Sequence, residues 1–163
     1  MTGDNFTVLL VCTGNTCRSP MAGGILKKML ADGGIEGITV LSAGTAALDG
    51  MPATDLAVST SADWGIDLSG HRSQPVTDKL VEEADLILTM TPEHREEILS
   101  HDPAAAAKTF LLKGFPGSGK NDPSLYVRDP IGGGPSEYQR AFLEIEESLR
   151  RIFSALLQKA GKR

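Results

Sequence analysis

The chain has 163 residues, 40% of them hydrophobic and 23% charged, with a formal net charge of -5. This is the composition of an ordinary globular domain, which excludes disordered and fibrous chains, and its acidic balance argues against nonspecific nucleic-acid binding. No run of about 18 apolar residues suggests a membrane span, and Met1 to Thr7 lacks a secretory pattern, so the chain is expected in the cytoplasm.

Phe6 to Val11 (FTVLLV) is an apolar run suited to a buried parallel strand. A polar, glycine-containing loop follows. Ser19-Pro20 then has the form of a helix start, with Ser as N-cap and Pro at the first helical position. Met21, Ile25, Leu26, Met29 and Leu30 recur at helical spacing, and Asp32-Gly33-Gly34 ends that helix. Ile38 to Leu41 reads as a second strand and Ala53 to Asp63 as a helix. A short helix ends over Leu80 to Ala84, and Asp85 to Met90 is a third strand. Thr91-Pro92 opens a helix reaching about Leu99, and Thr109 to Leu112 is a fourth strand. A Gly-, Pro- and Asp-rich loop runs from Gly114 to Pro135. Ser136-Glu137-Tyr138-Gln139 has capping-box form, and the last helix carries Tyr138, Phe142, Ile145, Leu149, Ile152 and Leu156 on one face.

Strands alternating with helices predict an α/β sandwich with a parallel sheet, as a single domain over 1–163. In such sheets ligands bind beyond the carboxyl ends of the strands. The segment Cys12-Thr13-Gly14-Asn15-Thr16-Cys17-Arg18-Ser19 lies at such an end.

That segment joins a strand to a helix. Its amides and those of the first helical turn lack intrahelical partners and can converge on an anion. Gly14 is expected to take a positive φ that points amides inward. Arg18 adds a planar fork of donors that matches phosphate oxygens. A cradle that attracts phosphate also favours thiolate over thiol, and a thiolate beneath a phosphoryl group can attack phosphorus. Cys12 is therefore the expected nucleophile, with Ser19 donating to its sulfur. Taken alone, Cys12 reads more readily as a small buried residue at a strand end. The combination of cysteine, five residues, arginine and serine between an apolar strand and a helix is what makes the segment specific.

A leaving group needs a proton, and a carboxylic acid can supply it and then activate water. The chain has three Asp-Pro pairs, at Asp102, Asp122 and Asp129, and spacing alone does not choose among them.

The sequence resembles the low-molecular-weight protein-tyrosine phosphatase family. The resemblance rests on VCTGNTCRSP (Val11 to Pro20), LSAG (Leu41 to Gly44), HRSQPV (His71 to Val76), ADLILTM (Ala84 to Met90) and Asp129-Pro130. It implies a four-stranded parallel sheet flanked by helices, a cysteinyl-phosphate intermediate, phosphorylated protein substrates, inorganic phosphate as product, and no metal or organic cofactor. It also implies Asp129 as the general acid, with Asp122 second, and Asn15, Ser42 and His71 as supports of the loop. Thr16, where many members carry a bulky aliphatic residue, resembles the branch that hydrolyses phosphoarginine on proteins. Ile131-Gly132-Gly133-Gly134 leaves the aromatic wall of the tyrosine-specific members poorly built, although the arginine branch also tends to an aromatic at 131. Phosphoarginine is thus favoured slightly over phosphotyrosine. Thr45 to Met51 is expected to form part of one wall.

Other classes fit less well. Gly114 to Lys120 matches seven positions of a nucleotide-binding P-loop, but Asn121 stands where Ser or Thr would ligate magnesium. An arsenate reductase would need further cysteines, and none follows Cys17. A noncatalytic phosphoprotein-binding module would need neither Cys12 nor an acid. Cys17 reads either as a resolving thiol that captures oxidised Cys12 or as a buried junction residue.

Overall fold

The computed structural model describes residues 5–117 and 122–162. Four strands, β1 (Phe6–Cys12), β2 (Ile38–Gly44), β3 (Leu86–Thr89) and β4 (Thr109–Leu111), form a parallel sheet in the order β2-β1-β3-β4. Central β1 is the most apolar strand, and Val8 to Val11 are fully buried. A parallel central strand is covered on both faces, so it tolerates no polar alternation.

Among the described residues, five α-helices enclose the sheet: α1 (Arg18–Asp32), α2 (Asp55–Ala62), α3 (Asp78–Glu83), α4 (Pro92–His101) and α5 (Pro135–Lys159). Val8 and Leu10 face a core shared with Met21 and Leu26 of α1 and with Phe142, Ile145, Leu149, Ile152 and Leu156 of α5. Leu9 and Val11 face the other way, against Val81 of α3 and Ile98 of α4. The result is a three-layer α/β sandwich. At roughly 25 cal/mol per Å², each of these buried aliphatic side chains contributes about 2 kcal/mol, which outweighs the weak intrinsic preferences of the short helices.

The elements follow the order of the sequence reading, but β2 runs on from Leu41 to Gly44, 3-10 turns not predicted form at Pro103–Lys108 and Pro123–Leu125, and three helix starts differ. Ser19 does not cap α1, which begins at Arg18 with Cys17 as N-cap. Its hydroxyl is committed to Cys12 and Asn15 instead. The last helix begins at Pro135 rather than at a box opened by Ser136. Glu137 accepts from the Gly134 amide at 2.8 Å, so the carboxylate half of the box is present two residues earlier. The helix predicted over Ala53 to Asp63 starts at Asp55 because Thr54 caps it, accepting from the Ala57 amide at 3.3 Å. Residues 118–121, which complete the Gly114 to Lys120 motif and its following Asn121, lie outside the described residues.

The sheet leaves β1 and β2 ending side by side, with Cys12 paired to Gly44. The segments after both strands are tied together there. Thr45 and Ala46 donate their amides to the carbonyls of Cys12 and Thr13, both at 2.9 Å. Gly44 is required at this closure. A Cβ there would stand 2.3 Å from the Thr13 carbonyl oxygen and 2.9 Å from the Asn15 nitrogen.

Candidate active site

The loop from Cys12 to Ser19 turns at Asn15, not at Gly14. Asn15 has φ 58, the one positive value outside glycine among the described residues. Asparagine tolerates this region better than most residues, and here its side chain is fully occupied. Its Nδ2 donates to Ser19 Oγ at 2.8 Å and to Ser42 Oγ at 2.9 Å. Its Oδ1 accepts from the Gln74 amide at 2.9 Å. Its backbone carbonyl accepts from His71 Nε2 at 2.7 Å. Burial, aided by Lys27 and Arg72, pushes His71 below the ordinary histidine value, against the pull of the Asn15 carbonyl. A neutral ring that donates from Nε2 fits this bond. Asn15, Ser42 and His71, expected as loop supports, are thus brought together around one buried side chain.

These bonds fix the polarity at the sulfur. Ser19 Oγ accepts from Asn15, so its single proton is free to go to Cys12 Sγ, 2.9 Å away. The Asn15 amide also donates to Cys12 Sγ, at 3.3 Å. Cys12 is buried at the base of the loop with two donors aimed at it.

Cys17 is held differently. The Ala57 amide donates to Thr54 Oγ1, which donates to Tyr138 Oη at 3.2 Å. The phenol proton is then left for Cys17 Sγ, 3.3 Å away. Burial and the Cys17 contact push the Tyr138 phenol up to about 12, which keeps it a donor. Both cysteines are free and buried. Thr16 lies between them, half-buried, and its Oγ1 is 3.9 Å from Cys17 Sγ.

Arg18 is buried and joins this loop to the one before α5. Its Nη1 donates to the Val127 carbonyl at 2.9 Å, and its Nη2 donates to Thr13 Oγ1 at 3.2 Å. Nη2 also lies 3.5 Å from Asp129 Oδ2. Val127 is itself buried, and its amide donates to the Met90 carbonyl just beyond β3. That anchor holds Asp129, whose side chain is 41% exposed, over the Cys12 loop. The other Asp-Pro carboxylates serve local turns. Asp102 Oδ1 accepts from the Ala104 amide, and Asp122 Oδ1 from the Ser124 amide. Bonds from Ser124 hold Asp122 below the usual carboxylate range.

Leu48 and Met51 in the segment after β2 are exposed, and so is Ile131 beyond Asp129, 61% exposed. Ser73 clips the segment after β2, its amide donating to the Met51 carbonyl and its hydroxyl to the Leu48 carbonyl. Sequence reasoning did not single out Gln74, Thr54, Tyr138, Val127 or His94. Their partners in the loop are remote in sequence. The HRSQPV segment does contain Gln74, whereas Thr54 falls inside the predicted Ala53 to Asp63 helix rather than at its cap.

Chemically, the site offers a sulfur with donors behind it, a guanidinium with spare N–H groups, and an exposed carboxylic acid opposite. Among the described residues, no group of three or more His, Cys, Asp or Glu side chains is arranged to hold a metal ion.

Known proteins share this arrangement of sequence and fold. Residues 7–162 match the family model described as low molecular weight phosphotyrosine protein phosphatase. A protein-arginine-phosphatase of Bacillus subtilis is 38% identical over 149 residues, 91% of this chain and 95% of the relative. A probable low molecular weight protein-tyrosine-phosphatase, EpsP of Ralstonia nicotianae, is 47% identical over 106 residues, 65% of this chain and 70% of the relative. A solved structure of the YwlE arginine phosphatase, a cysteine-to-serine mutant with a phosphorylated active site serine, superposes with a TM-score of 0.84 at 37% identity, covering 94% of this chain and 97% of that one.

Proposed function

Because this chain belongs to the low molecular weight phosphotyrosine protein phosphatase family and is a cysteine-dependent protein phosphatase, we propose that Cys12, Arg18 and Asp129 are its catalytic residues and phosphoarginine its favoured substrate. The observation that carries the assignment is the convergence on Arg18. One guanidinium contacts Thr13 in the Cys12 loop and both Val127 and Asp129 in the loop opposite.

In the first step the Cys12 thiolate attacks phosphorus in line. The S–P bond forms as the bond from phosphorus to the substrate side chain breaks, and Asp129 gives its proton to the leaving nitrogen or oxygen. Arg18 and the amides of residues 13 to 19 hold the phosphoryl oxygens through the charge build-up. In the second step the Asp129 carboxylate takes a proton from water. The water oxygen attacks phosphorus, the S–P bond breaks, and inorganic phosphate leaves. The Ser19 hydroxyl, 2.9 Å from the sulfur, stabilises the thiolate at both ends of the cycle.

Phosphoarginine is favoured by Thr16 and by the arginine phosphatase that is similar over 91% of the chain. A hydroxyl there has room for a guanidinium that a large aliphatic side chain would crowd. Phosphotyrosine is the second reading, and exposed Leu48, Met51 and Ile131 favour it as apolar surface for a ring. Turnover of phosphoarginine and phosphotyrosine peptides separates the two. The expected result is higher kcat/KM on phosphoarginine, and a Thr16→Ile variant that shifts preference toward phosphotyrosine. Absence of phosphoarginine turnover discards the first reading.

We read 1–163 as one phosphatase domain acting on phosphorylated proteins in the cytoplasm, with neither nucleic acid nor membrane as partner. A free thiol nucleophile suits a reducing compartment. No described helix is long and apolar enough to cross a membrane. Cys17 is proposed as the thiol that captures oxidised Cys12. Persistent sulfinic acid at Cys12 without a disulfide after mild peroxide, read by mass spectrometry, would count against that role.

A further inference from the structure

His94, in the first turn of α4, is only 4% exposed, and the mechanism above leaves it unused. Its hydrogen bonds have a determined direction. The Thr91 amide, which can only donate, lies 3.1 Å from His94 Nδ1. Nδ1 therefore accepts, and the ring proton sits on Nε2. Nε2 is 2.8 Å from Thr13 Oγ1 and donates to it. The same oxygen accepts from Arg18 Nη2 at 3.2 Å, because a guanidinium has no acceptor. The Thr13 oxygen is thus held from behind by a buried imidazole and from the front by Arg18.

The other partners of Arg18 both lie on the opposite loop: the Val127 carbonyl at 2.9 Å and Asp129 at 3.5 Å. Thr13 Oγ1 is the contact that pulls the guanidinium toward the phosphate-binding loop. Thr13 is exposed at the mouth, so without the buried imidazole its side chain is free to rotate. We propose that His94 is a positioning residue for phosphoryl transfer, acting through Thr13 to hold the Arg18 guanidinium on the Cys12 loop against the pull of Asp129 and Val127. This rests on the phosphatase reading above. Burial first, then the Arg18 charge, lower His94 to about 4, against smaller opposing effects of Glu93 and Asp129, so the donor facing Arg18 is neutral.

A double-mutant cycle tests the link. His94→Leu, Thr13→Val and the double variant are compared for kcat and KM on the better of the two phosphopeptides, for inhibition by orthovanadate, and for thermal unfolding. Each single variant is expected to lose about tenfold in kcat/KM, with a parallel weakening of vanadate, because a misdirected guanidinium costs transition-state contacts. The double variant should be no worse than either single one. His94→Gln, which keeps an N–H donor, should recover most of the loss. Losses that multiply in the double variant, or singles that match wild type, overturn the proposal. Thr13→Val alters an exposed, isosteric side chain and keeps the test valid if His94→Leu does not fold. Turnover by wild type that vanishes in Cys12→Ser, with no coupling in the cycle, sinks this inference alone. A wild type inactive on both phosphopeptides sinks it together with the phosphatase reading.

Discussion

Arg18 is gripped by two loops of opposite construction. In the loop from Cys12 to Ser19, Cys12, Asn15, Cys17, Arg18 and Ser19 are buried, and their side chains bond to one another and to Ser42, Thr54, Gln74, Val127 and Tyr138 on five other segments. Over residues 122–134, the described stretch just before α5, only Val127 and Pro130 are buried, Asp129 is 41% exposed, and local turns such as the Ile131 amide donating to Asp129 Oδ1 recur. The difference fits the two tasks proposed for these loops. A nucleophile and its oxyanion donors gain rate by being fixed before the substrate arrives. An acid must first meet a leaving group and then a water, so it needs solvent access and one firm anchor.

This contrast can be broken from either side. Cys12→Ser should abolish turnover, by about four orders of magnitude or more, with little change in unfolding temperature. Asp129→Asn should cost about two to four orders of magnitude in kcat on a substrate with a poor leaving group, again with a near-native unfolding temperature. Full activity of Asp129→Asn would mean that the exposed loop carries no acid.

Asn15→Ala attacks the rigid side without touching a reacting group. It strands Ser19, Ser42 and the Gln74 amide and leaves alanine at φ 58. The expected cost is about 3 kcal/mol in urea unfolding, together with a large loss of kcat. Asn15→Gly should recover only the backbone part, about 1 kcal/mol. If the alanine variant unfolds like wild type, the loop is not held by these bonds.

The last expected effect is a pH dependence of stability alone. His94 titrates at about 4 in the folded chain and near its ordinary 6.5 when unfolded. Between those values the unfolded chain binds a proton that the folded chain does not. Stability therefore falls as pH drops from about 6.5 toward 4 and levels off below, by up to about 3 kcal/mol. His71 is lowered as well and acts in the same sense. Urea midpoints between about pH 7 and pH 4.5 should show the decline in wild type and a weaker one in His94→Gln. A flat wild-type profile would contradict a buried neutral His94.

Local order determined most of what the sequence revealed. The apolar run of β1, the stripe of α5 from Tyr138 to Leu156 and the cysteine-to-arginine spacing are written in consecutive residues, because strand burial, helix periodicity and loop length act over a few positions. The tertiary structure decided the rest. Asn15 rather than Gly14 takes the left-handed turn because Ser42, His71 and Gln74 surround it, and Gln74 is 59 positions away. Ser19 serves the sulfur instead of the helix because Asn15 sets the direction of its proton. Spacing did not separate Asp129 from Asp102 and Asp122; the family resemblance favoured it, and the fold adds that it lies against Arg18. Thr13 meets His94 across 81 positions, and Cys17 meets Tyr138 across 121. Those contacts exist because the parallel sheet brings the ends of β1, β2 and β3 together at one edge, and no spacing within a single segment records that convergence.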